Sequence, residues 1–257
     1  MKALKRFGQN FLVDRNILAF MISCADLSGS DCILEIGAGH GILTREILSQ
    51  KIKCLHSIEL DERLRPELED LAAINPALSL HWSDAVKFDY DSLNPFPNKV
   101  IANIPYNITT PLIYELIKYS GIKYYLLMLQ KESAERITAK PDTKARYPLG
   151  IIIELMGHAE IVHRVPRNCF RPVPNVDSVL VEIIINKNFE LPRDKLFIEF
   201  LHRAFTHRRK TLLNNLRGFM NINIDDWREI LQESAALRAE DLTGDKWLEI
   251  YNYLTKL

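Results

Sequence analysis

No apolar run in this 257-residue chain approaches the ~20 residues needed to span a bilayer. The opening residues, Met1-Lys-Ala-Leu-Lys-Arg-Phe-Gly8, contain no apolar signal-peptide core, so the expectation is a cytoplasmic protein with no membrane segment. Cysteine is scarce. Cys24, Cys32, Cys54 and Cys169 are widely spaced, without a CxxC pair or a metal-type cluster with histidine. That pattern predicts reduced core residues, no metal and no disulfide framework. A charge excess is also lacking: Lys+Arg and Asp+Glu both total 33, so net charge by itself argues for no nucleic-acid partner. Internal repeats and low-complexity tracts are absent.

What is present is apolar content of 47%, ample for a sizeable core in one large domain or a domain and a half. Charge is segregated rather than scarce. Residues 59–70 contain six acidic side chains against Arg63 and Arg65, whereas 163–171 and 202–217 contain arginines and a lysine with no acidic residue. A fold that gathers the basic stretches can offer one face to phosphates; a lone run is equally a solvated surface.

Short apolar stretches at 31–36, 54–59, 78–82, 100–102 and 124–130 alternate with helical patterns at 42–50 and 131–139. This alternation predicts an α/β fold built on a doubly wound parallel sheet. The stretches 159–165 and 178–185 read as late strands, and 150–156 is too uniformly apolar to assign. The polar, basic loop 141–148 reads as a flap or a connector. Beyond the linker 186–192 the chain reads as helical. The predicted division is therefore 1–186 for the sheet domain and 187–257 for a small C-terminal helical domain. In the latter, Arg208, Arg209 and Lys210 suit a nucleic-acid clamp, the alternative being a module that simply packs against the sheet.

The first strand runs into Gly37-Ala-Gly39-His-Gly41. Glycines at every second position let the backbone bend tightly and admit a ligand close to the main chain. The second strand ends on Glu59, 22 positions beyond Gly37, near the ~20-residue spacing that sets a carboxylate on an adenosine ribose. The third delivers Asp84, a possible acceptor for an adenine amine. The fourth delivers Asn103-Ile104-Pro105-Tyr106, followed by a helix that Thr110 and Pro111 suit. This tetrad holds no strong base and no strong nucleophile. It offers an amide oxygen and a backbone carbonyl as acceptors beside an aromatic face, which fits a planar base bearing an exocyclic amine. Acceptors placed around that nitrogen would favour the form with a free lone pair, which is transition-state stabilisation and not proton abstraction. Phe170, heading the stiff loop Phe170-Arg-Pro-Val-Pro174, either closes the far side of such a base or serves as a core plug.

Taken together, Phe7-Gly-Gln-Asn10-Phe-Leu12, Leu34-Glu-Ile-Gly37-Ala-Gly39, Ile58-Glu59-Leu-Asp61, Asn103-Ile-Pro-Tyr-Asn107 and Phe170-Arg-Pro-Val-Pro-Asn-Val-Asp-Ser178 resemble the small-subunit rRNA adenine dimethyltransferases. The likeness runs from residue 5 to about residue 218 and is looser over the last 40. It implies a Rossmann-like methyltransferase sheet, S-adenosyl-L-methionine as methyl donor, and dimethylation of loop adenines near the 3′ end of small-subunit rRNA. The partner would be the small ribosomal subunit or its assembly intermediate, with the enzyme acting as a monomer. The family's cofactor contacts fall on Asn10, Leu12, Gly37, Glu59, Asp84 and Asn103, with Gly39 in the same loop. Its target-adenine pocket falls on Asn103, Ile104, Pro105, Tyr106 and Phe170. Ala38 stands where that family commonly has proline. Three other readings share parts of the pattern: an Erm-type large-subunit rRNA methyltransferase, a non-catalytic assembly factor on the same fold, and a methyltransferase acting on a protein amide.

Overall fold

The computed structural model describes residues 10–187 and 194–256. Of the motif Phe7 to Leu12, only Asn10 onward falls within these residues, and most of the expected linker 186–192 also lies outside them. The chain divides into two compact units, one comprising the residues up to Ala134 with Glu160–Ile185, the other Glu135–Ala159 with the residues from Asn186 onward. Residues 135–159, which the sequence assigns to the sheet domain, thus cluster with the C-terminal helices.

In the first unit β1 (Phe11–Leu12) precedes α1 (Arg15–Ala25), which Asp14 caps by accepting from the backbone N–H groups of Asn16 and Ile17. The chain continues through β2 (Cys32–Ile36), α2 (Ile42–Leu48), β3 (Cys54–Glu59), α3 (Arg65–Ala73), β4 (Leu78–Trp82), β5 (Lys99–Asn103), α4 (Thr109–Leu116), β6 (Tyr124–Gln130) and α5 (Lys131–Ile137). After α6 (Pro148–Met156) come β7 (Gly157–Val165), β8 (Phe170–Arg171) and β9 (Ser178–Ile185). Seven strands form one sheet in the order β4-β3-β2-β5-β6-β9-β7. The first five strands of that order are mutually parallel, and β9 runs antiparallel to β6. Every residue of β2 and β3 is buried, as expected of strands covered on both faces. Strand order reverses between β2 and β5, the switch point where open α/β sheets bind ligands at the carboxyl ends of their strands.

The sulfurs of Cys32 and Cys54 are joined as a disulfide, 2.07 Å apart. This corrects the expectation of four reduced cysteines. The two residues are direct partners in the β2–β3 register, with Cα atoms 4.7 Å apart, a proximity that a 22-residue sequence separation does not reveal. Cys24 and Cys169 remain thiols.

In the second unit α7 (Lys195–Ala204), α8 (Leu212–Leu216), α9 (Ile224–Leu231) and α10 (Gly244–Leu254) pack around Phe200, Trp227 and Trp247, all fully buried. The loop before α6 is anchored at its C-terminal end. Its Arg146 is buried, 2.7 Å from Glu154 Oε2, and donates to the carbonyls of Ala139 and Leu242. α6 itself is buried on nearly all sides, which removes the one-sided periodicity that marks a surface helix.

Candidate functional site

The switch point opens a cavity of about 330 Å³, lined among others by Asn10, Gly37, Gly39, Glu59, Asp84 and Asn103. Ile104, Pro105 and Tyr106 line the same cavity. Four strand ends therefore bring together the residues that the sequence singles out at β2, β3, β4 and β5.

The glycine turn is held by the carboxylate beyond it. Gly37 and Gly39 have φ of +77° and +57°, conformations that side-chain-bearing residues rarely adopt. A Cβ on Gly39 would lie 3.0 Å from Phe11 Cδ1, and one on Gly37 would lie 3.7 Å from the Asn103 carbonyl oxygen. Glu59 accepts from Gly39 N at 2.9 Å through Oε2, and from Leu60 N and Asp61 N at 2.9 and 2.8 Å through Oε1. Burial pushes its carboxyl upward against those three N–H groups, and the neighbouring Asp61 charge adds to the rise. A carboxylate has about four lone-pair positions, so one remains on Oε2 for a hydroxyl donor. Asp84 uses Oδ1 to accept from Val86 N at 3.0 Å. Its Oδ2 receives no hydrogen bond among the described residues.

At the β5 end, Asn103 Nδ2 donates to the Asn10 carbonyl at 3.1 Å. A carbonyl can only accept, so this bond fixes which end of the amide is nitrogen and leaves Oδ1 without a protein partner among the described residues. The Pro105 carbonyl accepts from Ile108 N at 3.1 Å and closes the turn into α4. The Ile104 carbonyl takes no hydrogen bond among the described residues, which makes it the second available acceptor. Tyr106 is half-buried, and its hydroxyl lies 2.7 Å from Ser178 Oγ. Burial raises that phenol, with the Ser178 bond opposing, so the ring stays neutral near pH 7.

One expected contact is corrected. Phe170 is fully buried in the core with Leu12, Leu18 and Leu180, and it does not line the cavity. β8 pairs antiparallel with β1, setting Leu12 opposite Phe170, so the ring is a core plug and offers no face to a base. Leu12 is likewise buried. It borders a smaller void of about 40 Å³ that shares Phe11, Gly37, Gly39 and Asn103 with the main cavity. Phe11 and Leu60, which lie inside the quoted motifs with no role assigned to them, and Ala85, which no motif marks, also line the main cavity. Arg208, Arg209 and Lys210 are exposed on the turn between α7 and α8. There Asn215 holds His207 by accepting from its N–H and donating to its carbonyl.

Comparison with known proteins follows the same line. A family model described as Ribosomal RNA adenine dimethylase matches residues 1–256. The Clostridium botulinum protein named Ribosomal RNA small subunit methyltransferase A is 40% identical over 227 residues, spanning 86% of this chain and 81% of its own. The crystal structure of a dimethyladenosine transferase from Plasmodium falciparum superposes with a TM-score of 0.81 at 28% identity, covering 96% of this chain and 98% of that one. The crystal structure of 23S rRNA methyltransferase ErmE shares the fold, with a TM-score of 0.70 at 22% identity over 96% and 100% of the two chains. With a Rossmann-like sheet, a glycine turn and the Asn-Ile-Pro-Tyr loop at its switch point, and a family match running almost end to end, the chain belongs to the ribosomal RNA adenine dimethylase family.

Proposed function

We propose that this protein is an S-adenosyl-L-methionine-dependent rRNA adenine N6,N6-dimethyltransferase acting on the small ribosomal subunit or its assembly intermediate. The observation that carries the proposal is that Asn103, whose Oδ1 has no hydrogen-bond partner among the described residues, lines the same cavity as Gly37, Glu59 and Asp84. The names of the relatives, such as the Clostridium botulinum small-subunit enzyme, favour that subunit over the large one.

The cavity suits the donor. Its volume falls within the ~300–1,000 Å³ of small-molecule sites, and Ile36, Ile58, Leu60 and Ala85 supply apolar surface for a purine. Glu59 would hold a ribose hydroxyl, and Asp84 Oδ2 would accept from the cofactor's adenine amine. Gly37 and Gly39 line the cavity beside Asn103 without side chains of their own, and Phe11 packs against Gly39. When bound, S-adenosyl-L-methionine supplies an electrophilic methyl group.

The chain's own residues prepare the acceptor. A loop adenine leaves its stack at a cost of a few kcal/mol, less than a paired one, and lays its face on Tyr106. For the first transfer Asn103 Oδ1 and the Ile104 carbonyl would accept the two N–H bonds of its exocyclic amine, and for the second the single N–H that is left. That arrangement turns the nitrogen lone pair out of conjugation and towards the methyl group, with no side chain acting as base. In each transfer the nitrogen gives up one proton to water once the new N–C bond has replaced the donor's S–C bond. Single stacking on Tyr106 replaces the sandwich expected with Phe170.

Two variants probe the arrangement. Tyr106→Ala should raise KM for RNA about 5- to 100-fold, the loss of one base-stacking contact of ~1–3 kcal/mol, whereas Tyr106→Phe, which keeps the ring, should remain within a few-fold of the parent in steady-state assays. Gly39→Ala should lower the stability of the folded protein by ~1–2 kcal/mol in urea denaturation, since the left-handed backbone penalises a residue with a side chain and the new Cβ crowds Phe11. The proposed function is tested with tritiated donor and under-methylated small subunits. Label should appear in small-subunit adenine; label in large-subunit rRNA alone, or in none, would refute it.

A further inference from the structure

The basic stretch around Phe170 has no part in the site described so far. Residues 161–176 contain Arg164, Arg167 and Arg171 and no aspartate or glutamate. All three arginines are exposed, and among the described residues none has a carboxylate within ion-pair distance. Elsewhere in the chain Arg45, Arg63, Arg65, Arg146 and Arg228 are each paired with a carboxylate. Exposed Val173 and Val176 lie in the same segment, 50% and 44% accessible.

This segment is fastened to the catalytic loop and to the cavity wall. Arg171 is the register partner of Phe11, which lines the cavity. Val13 N donates to the Cys169 carbonyl at 2.9 Å on the same side. At the other end, Arg167 N donates to Asp177 Oδ1 at 3.3 Å, and the adjacent Ser178 bonds the Tyr106 hydroxyl. The Arg171 guanidinium is itself oriented, Nη1 donating to the carbonyls of Asn168 and Phe170 at 3.1 and 2.9 Å. The segment therefore carries three unneutralised cations at a position fixed relative to Tyr106.

We propose that Arg164, Arg167 and Arg171 form a phosphate-gripping surface for the single-stranded RNA flanking the target adenine, distinct from the Arg208–Lys210 run. The inference rests on the RNA methyltransferase reading above. Guanidinium forks match phosphate oxygens bidentately, and Val173 and Val176 supply apolar contact for unstacked bases or riboses between the charges. Salt dependence follows from the counterions that such contacts release, about 0.7 in the log–log slope per single-strand phosphate.

The test uses the full chain and a fluorescein-labelled RNA hairpin with adenines in its loop, with binding followed by anisotropy over a salt series. The variant R164Q/R167Q/R171Q should lose about 2 from the log–log salt slope, three contacts at about 0.7 each. Its affinity for S-adenosyl-L-methionine in calorimetry should match the parent, and its defect on small subunits should fall on KM for RNA. A salt slope equal to the parent's would overturn the proposal. So would a slope lost equally in a control that alters only exposed Lys51 and Lys53. Should the triple variant fail to fold, the single variants R164Q and R167Q should each lose about 0.7, leaving the Arg171 bonds intact; no loss in either overturns the proposal. If the parent binds the hairpin with this slope yet labels no rRNA, the surface stands and the catalytic reading falls.

Discussion

Asn103→Ala should lower kcat about 100- to 1,000-fold, the range measured when one preorganised hydrogen-bonding group is removed from a charge-stabilising site, while RNA affinity stays within a few-fold. The expectation follows from what the amide does in the structure. Its Nδ2 is spent on the Asn10 carbonyl, so its oxygen is held at one orientation before any substrate arrives. An acceptor so fixed is worth most where the amine nitrogen gains positive charge, which occurs during methyl transfer and not on binding. RNA affinity, on the proposed reading, would draw instead on Tyr106 and on cationic side chains that this substitution leaves in place. Single-turnover kinetics with saturating donor, beside anisotropy on the hairpin, separate the two quantities. A variant with weakened RNA binding and normal turnover would contradict the role given to the amide.

Glu35→Gln should make the protein more stable than the parent above neutral pH, by roughly 3 kcal/mol at pH 8, and leave the two alike near pH 4. Glu35 is fully buried in β2, accepting from Thr44 Oγ1 and Ser57 Oγ at 2.8 Å each through Oε2. Its Oε1 has no hydrogen-bond partner among the described residues. Burial raises its carboxyl from 4.5 to about 7; the two hydroxyls oppose the rise and the Glu59 charge adds to it. The native state therefore binds the proton more tightly than the unfolded chain does. Stability is greatest below about pH 4.5 as far as this group is concerned, and it declines as pH rises through the window from 4.5 to about 7. Over that window, at ~1.4 kcal/mol per pH unit, the loss approaches roughly 3 kcal/mol. Glutamine is neutral throughout and escapes it. Urea midpoints for both proteins between pH 5 and 8 decide the matter: parallel curves would mean that Glu35 does not titrate in this range.

Much of the sheet is legible in the chain because strands buried on both faces read as short apolar runs. Residues 54–59, 124–130 and 178–185 coincide with β3, β6 and β9; 78–82 coincides with β4, an edge strand in which only Leu78 is buried. The glycine turn and Asn-Ile-Pro-Tyr are legible for a related reason, since each places an unusual residue directly after such a run. Contacts set by register alone are not legible. β1 and β8 are two residues long each, too short to show a period, yet their pairing decides that Leu12 and Phe170 are core and that Phe11 lines the cavity. The same holds for Cys32 and Cys54, joined across neighbouring strands. Arg146 illustrates a different gap: in a polar loop a cation reads as exposed, and only its ties to Glu154, Ala139 and Leu242 reveal a buried anchor within the second unit. α6 lacks an exposed face and so gives no amphipathic signal.

The claim beneath all of this is that the adenine amine is made reactive by acceptors on Asn103 and Ile104, not by a side-chain base. The most direct measurement is the single-turnover rate of methyl transfer from the assembled protein–donor–RNA complex between pH 6 and 9. A rate that stays flat across that interval is the expected result. A rate that climbs tenfold per pH unit towards a plateau would show that a base must first be deprotonated, and would contradict the account.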